Sequence, residues 1–227
     1  MEKIANNVYL LDGFPKYAVN IYLIDTILID AGYRFDKKRI LRQLRGHKLS
    51  AHTLTHVHPD HQGASHDICE THNLPLWCPA NDVRAAESGD MRSQFPNANN
   101  PVVQIQNRFL AGPGHRVDSA LYEGDDIDSF TVIDAPGHSP GHVAYWREHD
   151  RVLILGDVAF NMNPMTMRVG LVEPPAIFTP SPKQNRESLR KLAALQPRIV
   201  CFGHGPPLHD GARFQEFVAQ LTYDVAV

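Results

Sequence analysis

The segment Thr55-His56-Val57-His58-Pro59-Asp60-His61 places four metal-ligating side chains within six positions. It follows residues 52–54 directly, includes the end of a strand predicted at residues 52–57, and precedes Gly63, which opens a predicted helix at 63–72. Side chains two apart in an extended segment point the same way, so His56 and His58 can reach one metal ion. Asp60 and His61 lie past the bend and can face a second ion beside the first.

Three distant segments have the same form, with a ligand-type residue directly after a predicted strand. The strands are predicted at residues 130–134, 152–155 and 199–202, and the segments are Ala135-Pro136-Gly137-His138-Ser139-Pro140-Gly141-His142, Gly156-Asp157 and Gly203-His204-Gly205. Functional groups commonly gather at one edge of a sheet on loops held by a rigid scaffold. The pattern therefore indicates one metal site built from all four segments.

The order H-x-H-x-D-H, P-G-H-S-P-G-H, G-D and G-H-G resembles the metallo-β-lactamase superfamily, and the resemblance covers nearly the whole chain. It implies an α+β fold, an αββα sandwich of two packed mixed β-sheets with helices on both outer faces and the site along one edge. It further implies that His56, His58 and His138 bind a first metal and that Asp60, His61 and His204 bind a second. Asp157 would bridge the two metals, and Asp60 and His61 are assigned a catalytic role as well.

Imidazole and carboxylate ligands suit zinc, iron and manganese, and a site poor in thiolates argues against a purely structural zinc. We expect two divalent ions, zinc in the first place, with iron or manganese as alternatives. Between two cations about 3.5–4 Å apart, a water ionises near neutral pH and becomes a nucleophile. The sequence therefore predicts a dinuclear metal-dependent hydrolase.

The remaining histidines are expected to lie outside the metal site. His142 begins a predicted strand and is expected to orient a ligand or its loop through a hydrogen bond. The turn Asp30-Ala31-Gly32 resembles a segment that the superfamily uses to support its metal loops, so Asp30 is expected to have a structural or supporting role. Solvated or structural roles are expected for His47, His52, His66, His72, His115, His149 and His209.

One domain over residues 1–227 is expected, because a strand meander is followed by alternating strands and helices. Two long stretches, at residues 90–117 and 161–182, have no predicted secondary structure and are candidates for substrate contact. Further strands are predicted at 8–11, 20–25, 27–30, 76–78 and 143–146, and further helices at 36–46, 81–88, 183–195 and 211–222.

The composition excludes several classes of partner. The formal net charge is -3, and no basic run is longer than Lys37-Lys38-Arg39, so nucleic acid is not expected as the main partner. No window has the roughly 20 apolar residues of a membrane span, and residues 1–11 lack the pattern of a secretory signal. A protein of the cytoplasm acting on a small molecule is expected, and a homodimer is left open.

The resemblance also narrows the substrate. True β-lactamases of the superfamily generally lack an aspartate at the position of Asp157, and one major group lacks a histidine at that of His61, so this chain is more similar to the glyoxalase II and lactonase branches. Glyoxalase II carries a further C-terminal helical region, whereas 23 residues follow His204 here. We expect hydrolysis of a small ester, lactone or thioester. The alternatives are a phosphodiesterase or ribonuclease, β-lactam hydrolysis as a minor activity, and an inactive metal-binding module.

The loop at residues 161–178 is rich in methionine and proline and can form an apolar wall for an acyl or lactone group, or can simply pack onto the domain. Phe14 and Tyr17 are further candidates for the rim of the pocket. The residues proposed for the wall are Met162, Pro164, Met165, Met167, Leu171, Pro174, Pro175 and Phe178.

Overall fold

A computed structural model describes residues 1–221 of the chain. Its strands and helices mostly begin and end within two residues of the predicted bounds. The strands are β1 (Glu2–Ala5), β2 (Val8–Leu10), β3 (Tyr22–Ile24), β4 (Ile27–Ile29), β5 (Ala51–Thr53), β6 (Leu76–Pro79), β7 (Ser119–Leu121), β8 (Asp126–Ile127), β9 (Phe130–Asp134), β10 (Val143–Arg147), β11 (Val152–Gly156), β12 (Phe160–Met162), β13 (Val169–Val172) and β14 (Ile199–Phe202). The helices are α1 (Lys37–Gln43), α2 (Pro59–Gln62), α3 (Ser65–His72), α4 (Val83–Ser88), α5 (Pro101–Phe109), α6 (Pro182–Ala194) and α7 (Gly211–Gln220).

These strands form two mixed sheets and a separate hairpin. The first sheet has the order β1-β2-β3-β4-β5-β6-β7, antiparallel as far as β4 and parallel from β4 to β7. The second has the order β14-β11-β10-β9-β8, with β11 and β14 parallel and the other neighbours antiparallel. Strands β12 and β13 pair only with each other.

Alternation of side chains along the strands separates an inner core from two outer ones. In β3 and β4, Tyr22, Ile24 and Ile27 lie in the core shared with the second sheet. Leu23 and Leu28 point to the opposite face, into a cluster that includes residues of α1, α3 and α4. On the second sheet, residues of β11 and β14 pack against α6 and α7 in the same manner. The predicted αββα sandwich is confirmed.

The metal-ligand segment departs from its prediction. Strand β5 ends at Thr53 instead of continuing to residue 57, because the Thr55 amide donates to the Asp30 Oδ1 carboxylate oxygen (2.8 Å) and not to a neighbouring strand. The helix predicted at 63–72 is α3, which begins at Ser65, and it is preceded by a short helix that the sequence did not predict, α2, which begins at Pro59. Proline suits this first helical position, since its fixed φ matches a helix and no amide donor is needed there. Asp60 and His61 therefore lie inside a one-turn helix.

Other differences concern elements with weak sequence signals. The helix predicted at 36–46 is shorter and extends only from Lys37 to Gln43. Asp36 accepts a hydrogen bond from the Tyr33 amide (3.0 Å), so it caps the turn before α1 and not α1 itself. Helix α7 ends at Gln220, whereas the predicted end at Thr222 and the last residues of the predicted domain lie outside the described chain. The sequence did not predict β1, β7, β8, α5, β12 or β13. Among the described residues, no helix is long and apolar enough to cross a membrane.

Candidate metal centre

Three histidines from two loops bring their ring nitrogens together at one edge of the sandwich. His58 Nδ1 lies 3.1 Å from His56 Nε2 and 3.1 Å from His138 Nε2. His56 and His58 follow β5, and His138 follows β9, so each sheet contributes to the group. All three side chains are buried.

A second group of ligand atoms lies beside the first. His204 Nε2 is 3.3 Å from Asp60 Oδ2, and His61 Nε2 is 3.9 Å from the same oxygen. Asp157, after β11, belongs to both groups by position, because its Oδ2 lies 3.1 Å from His204 Nε2, 3.4 Å from His61 Nε2 and 3.5 Å from His138 Nε2. The structure therefore brings all seven predicted ligands together.

Each of the five histidines has a partner on its other ring nitrogen. His61 Nδ1 lies 2.8 Å from Asp30 Oδ2, and His138 Nδ1 lies 3.2 Å from Thr179 Oγ1. Such partners fix the ring orientation and the tautomer of metal-binding histidines and leave the inner nitrogen free. The other pairs are His56 Nδ1 with Thr55 Oγ1 (3.1 Å), His58 Nε2 with the Gln94 carbonyl (3.5 Å) and His204 Nδ1 with the Ala18 carbonyl.

The arrangement fits two metal ions. A neutral imidazole carries one N–H. If the outer nitrogen carries it and donates to the outer partner, the inner nitrogens of the first group present lone pairs to one another. His61 Nε2 and Asp157 Oδ1 are buried and form no hydrogen bond within the protein. Buried polar atoms of this kind require an explanation, and a pair of cations among nitrogen and oxygen donors supplies one.

The two groups differ in electrostatics. Burial lowers the pKa of His58 to about 4 and that of His138 well below its usual range, so both imidazoles are neutral at neutral pH. In the second group, burial lowers the pKa of His204, but Asp157 and Asp60 outweigh it and raise the value to about 10. A cation bound there would replace a proton and neutralise the same carboxylates.

Asp30 and His142 occupy the supporting positions predicted for them. Asp30 accepts hydrogen bonds from the Thr55 amide and hydroxyl, at 2.8 and 2.9 Å, in addition to its contact with His61. His142 Nε2 accepts a hydrogen bond from the Asp157 amide at 3.0 Å, and the His142 ring stacks on His56 with centroids 4.7 Å apart. His142 therefore touches two candidate ligands without belonging to either group of ligand atoms.

Asp82 is a supporting residue that sequence reasoning missed. Its Oδ2 accepts from the Val57 amide (3.1 Å) and from Ser139 Oγ (3.2 Å), so it connects the two loops that carry the first three histidines. Burial raises the pKa of this carboxyl group to about 6. Asp82 lies in a short helical turn, 25 positions from Val57 and 57 from Ser139, and nothing in its local sequence marks it.

A cavity of about 190 Å³ opens beside the ligand atoms. Both stretches without predicted secondary structure contribute to its wall, as expected: Phe95 and Gln106 come from residues 90–117, and Pro164 and Phe178 from 161–182. Phe95 stacks on His58 with centroids 4.3 Å apart. The full lining is Tyr33, His58, Pro59, Asp60, Phe95, Gln106, His138, Asp157, Phe160, Pro164, Pro175, Phe178 and His204.

Several residues proposed for the wall lie elsewhere. Met165 and Met167 are exposed on the turn of the β12–β13 hairpin, with exposed fractions of 91% and 41%, and Met162 is buried. Phe14 is exposed away from the cavity, and Tyr17 bonds Glu2 instead (3.0 Å). The wall residues that were missed, Tyr33, Phe95, Gln106 and Phe160, lie far apart in sequence. Only the position of Tyr33 directly after the Asp30-Ala31-Gly32 turn could have indicated it.

Comparison with known proteins places this site in a family. The family model described as the metallo-β-lactamase superfamily matches residues 15–204, which contain all seven clustered side chains. The chain belongs to the metallo-β-lactamase superfamily. It is a metal-binding hydrolase of this superfamily, with a cluster of side chains suited to two metal ions.

Three similar members of the superfamily cover different shares of their own length. The probable metallo-hydrolase YflN of Bacillus subtilis is 29% identical over 92% of this chain and 89% of its own. The hydroxyacylglutathione hydrolase of Bdellovibrio bacteriovorus is 27% identical over 78% of this chain and 56% of its own, so the match spans little more than half of that protein. The crystal structure of TTHA1623 in a di-iron-bound form is 31% identical, with a TM-score of 0.65, and covers 88% of this chain and 94% of that one.

Proposed function

We propose that the protein is a dinuclear metal hydrolase that cleaves a small carboxylic ester, lactone or thioester. His56, His58 and His138 would hold one ion, and Asp60, His61 and His204 the other. Zinc is the proposed ion because the donors are imidazole and carboxylate, a set that iron and manganese also accept.

Asp157 is proposed to bridge the two ions. Its Oδ2 lies within 3.5 Å of inner nitrogens from both groups. Burial raises the pKa of Asp157, but His204 and His61 outweigh burial and hold the pKa well below its usual range. The carboxylate is therefore ionised. A bridging ligand requires an ionised oxygen between the two groups, and Asp157 Oδ2 occupies that position.

When bound, two ions supply an activated water and stabilise the charge that develops on the carbonyl oxygen of the substrate. Asp60 borders the cavity. Burial raises its pKa, but His61 and His204 outweigh burial and lower the value to about 2, so the carboxylate is ionised and can accept a hydrogen bond from a donor in the cavity. His61 is buried and does not border the cavity, so we propose for it a metal-binding role alone.

Tyr33 is a further candidate for contact with the substrate. Its side chain borders the cavity. The nearby Asp60 carboxylate has the largest effect in raising its pKa, and burial and the Asp157 carboxylate add to it. The phenol is therefore protonated at neutral pH and can donate a hydrogen bond to an oxygen of the substrate.

The lining of the cavity is the observation that carries the choice of substrate class. Within the described chain, no lysine or arginine lines it, and aromatic and proline side chains form much of the wall. Sites that bind a phosphate backbone commonly add such cations, whereas an acyl group is held by apolar contact. The volume of about 190 Å³ is below the roughly 300–1,000 Å³ of typical ligand pockets, which favours a small substrate.

The relatives support the same class. Hydroxyacylglutathione hydrolases from several bacteria match this chain at 26–32% identity, and their names describe hydrolysis of an acyl derivative of glutathione. The chain spans about half the length of those proteins, so glutathione itself is not part of the proposal.

A panel of substrates tests the proposal. The metal-loaded protein is assayed with a thioester, a lactone, an aryl ester, a β-lactam, a bis-aryl phosphodiester and a structured RNA, with Asp157→Asn as the control for metal-dependent turnover. We expect the highest kcat/KM for one of the three carboxylic substrates and its loss in the control. A higher kcat/KM for the RNA or the phosphodiester would overturn the acyl assignment.

A further inference from the structure

A second cluster of metal-ligating side chains lies apart from the dinuclear site. His66 and Glu70 are one turn apart on α3, and His115 comes from the segment after α5. Ligand atoms of the three residues all lie within 4.8 Å of one another. His66 Nδ1 is 3.1 Å from His115 Nδ1, which is 3.9 Å from Glu70 Oε1.

The spacing of these atoms matches that around a single ion. Zinc bonds of about 2.0–2.1 Å in tetrahedral geometry place neighbouring ligand atoms about 3.3 Å apart. The two ring nitrogens already have nearly this separation, and their rings meet at 68°. Glu70 is 66% exposed, so its carboxylate can approach by a change of rotamer without displacing packed side chains.

The surroundings favour ligand binding. Burial lowers the pKa of His115, and the neighbouring His66 lowers it further. The His115 imidazole is therefore neutral at neutral pH, and the neutral form is the one that binds a metal. A surface cavity of about 390 Å³ is lined by Glu70, His115 and Asp118 and gives a bound ion access to water for its fourth position. His66 and His115 are each only half-buried, so the path to solvent is short.

We propose that His66, Glu70 and His115 form a separate site for one divalent metal ion of the zinc type. An ion there would fasten helix α3 to the segment 110–118. This inference goes beyond the proposed function and does not depend on it.

The position of the site gives the ion a structural consequence. The segment 110–118 already packs closely on α2, since Gln62 Nε2 donates to the Pro113 carbonyl (3.0 Å) and a Cβ at Gly112 would lie 1.9 Å from the Gly63 oxygen. Helix α2 carries Asp60 and His61, and α5, which precedes the segment, carries Gln106 of the cavity wall. The ion would therefore stabilise one wall of the substrate cavity.

Zinc titration of protein whose dinuclear centre is already loaded tests the site. Ions per chain are counted by equilibrium dialysis and elemental analysis for the wild type, His66→Gln, His115→Gln and Glu70→Gln. His149→Gln is the matched control, because His149 is 65% exposed and lies 3.8 Å from Asp150 but belongs to no cluster of three ligands within residues 1–221. The melting temperature is recorded with and without the added zinc.

We expect one additional ion, and a zinc-dependent rise in melting temperature, in the wild type and in His149→Gln. Affinity for that ion should fall at least about tenfold in His66→Gln and His115→Gln, while the two tightly held ions remain and show that each variant has folded. Two results would overturn the proposal: equal zinc uptake by all variants, or no additional ion in the wild type even at millimolar zinc. Either would show that His66 and His115 form only a hydrogen bond between their imidazoles. The tightly held ions are counted separately, so failure here is distinct from failure of the dinuclear proposal.

Discussion

At the scale of the residue, the candidate site depends on contacts behind the ligand atoms. The sequence could indicate His142, which lies in the segment that carries His138, and Asp30, whose turn resembles one that the superfamily uses to support its metal loops. It could not indicate Asp82 or Thr179, whose contacts with Val57 and His138 are formed only when distant loops meet. Local spacing reveals which side chains can bind a metal, whereas tertiary packing determines which side chains orient them.

His142→Ala tests the division between ligands and supporting residues. Because His142 accepts from the Asp157 amide and stacks on His56, its loss should leave two ions bound and lower kcat/KM by about 10- to 100-fold, as for other orienting partners of ligands. Metal content and kinetics are measured together, with His138→Ala as the comparison. A variant that loses an ion on His142→Ala but keeps it on His138→Ala would contradict the assignment within this loop.

Asp82→Asn tests the buried carboxyl through the pH dependence of stability. The pKa of Asp82 rises from 3.8 to about 6 on folding, so between these values the native state binds more protons than the unfolded state. Its contribution to the free energy of unfolding therefore falls as pH rises through this window, by about 3 kcal/mol in all. The free energy of unfolding is measured by urea denaturation of the metal-free protein. The value for the wild type minus the value for the variant should decrease from pH 4 to 6.

The exposed Asp128→Asn provides the control for this comparison, because it changes the same chemical group on the surface. The change with pH should be larger for Asp82→Asn than for Asp128→Asn. A difference for Asp82→Asn that does not change with pH, or that grows with pH, would show that Asp82 is not a buried carboxyl of raised pKa.

At the scale of the element, periodic burial marks the parts that the sequence could predict. Strands β9, β10, β11 and β14 alternate between the inner core and the outer helices, and their predicted bounds agree with the structure to within a residue. Helix α5 buries only Val103, and the β12–β13 hairpin joins neither sheet, so neither element continues the periodic burial of the two main sheets. These two elements lie in the stretches that wall the cavity, and both were missed as elements.

Phe178→Ala tests that wall. Phe178 lines the cavity and meets Phe95 edge to face at 6.1 Å, whereas Met165 is exposed on the hairpin turn and is the matched control. Loss of the ring should lower kcat/KM about 10- to 100-fold for acyl substrates with long apolar chains and less for short ones. Met165→Ala should leave both unchanged. Equal losses for long and short chains would indicate that Phe178 only packs the loop.

At the scale of the whole molecule, the metal centre is a product of the sandwich. Ligands follow β5 of the first sheet and β9, β11 and β14 of the second, so the two groups meet only because the sheets pack face to face. The sequence predicted this meeting because each ligand directly follows a strand. It gave no such signal for His66 and His115, which are 49 positions apart and were expected to have separate surface or structural roles.

The central claim is that Asp157 joins two ions in one centre, and metal content after gel filtration tests it most directly. Elemental analysis of protein expressed with ample zinc, iron and manganese should find close to two tightly held ions per chain, since any ion at the partly exposed cluster of His66, Glu70 and His115 is expected to exchange during the run. Asp157→Ala should weaken retention of both ions together, because the Oδ2 of Asp157 lies within 3.5 Å of nitrogens in both groups. A wild-type protein that retains a single ion and hydrolyses its substrate with it would contradict the claim.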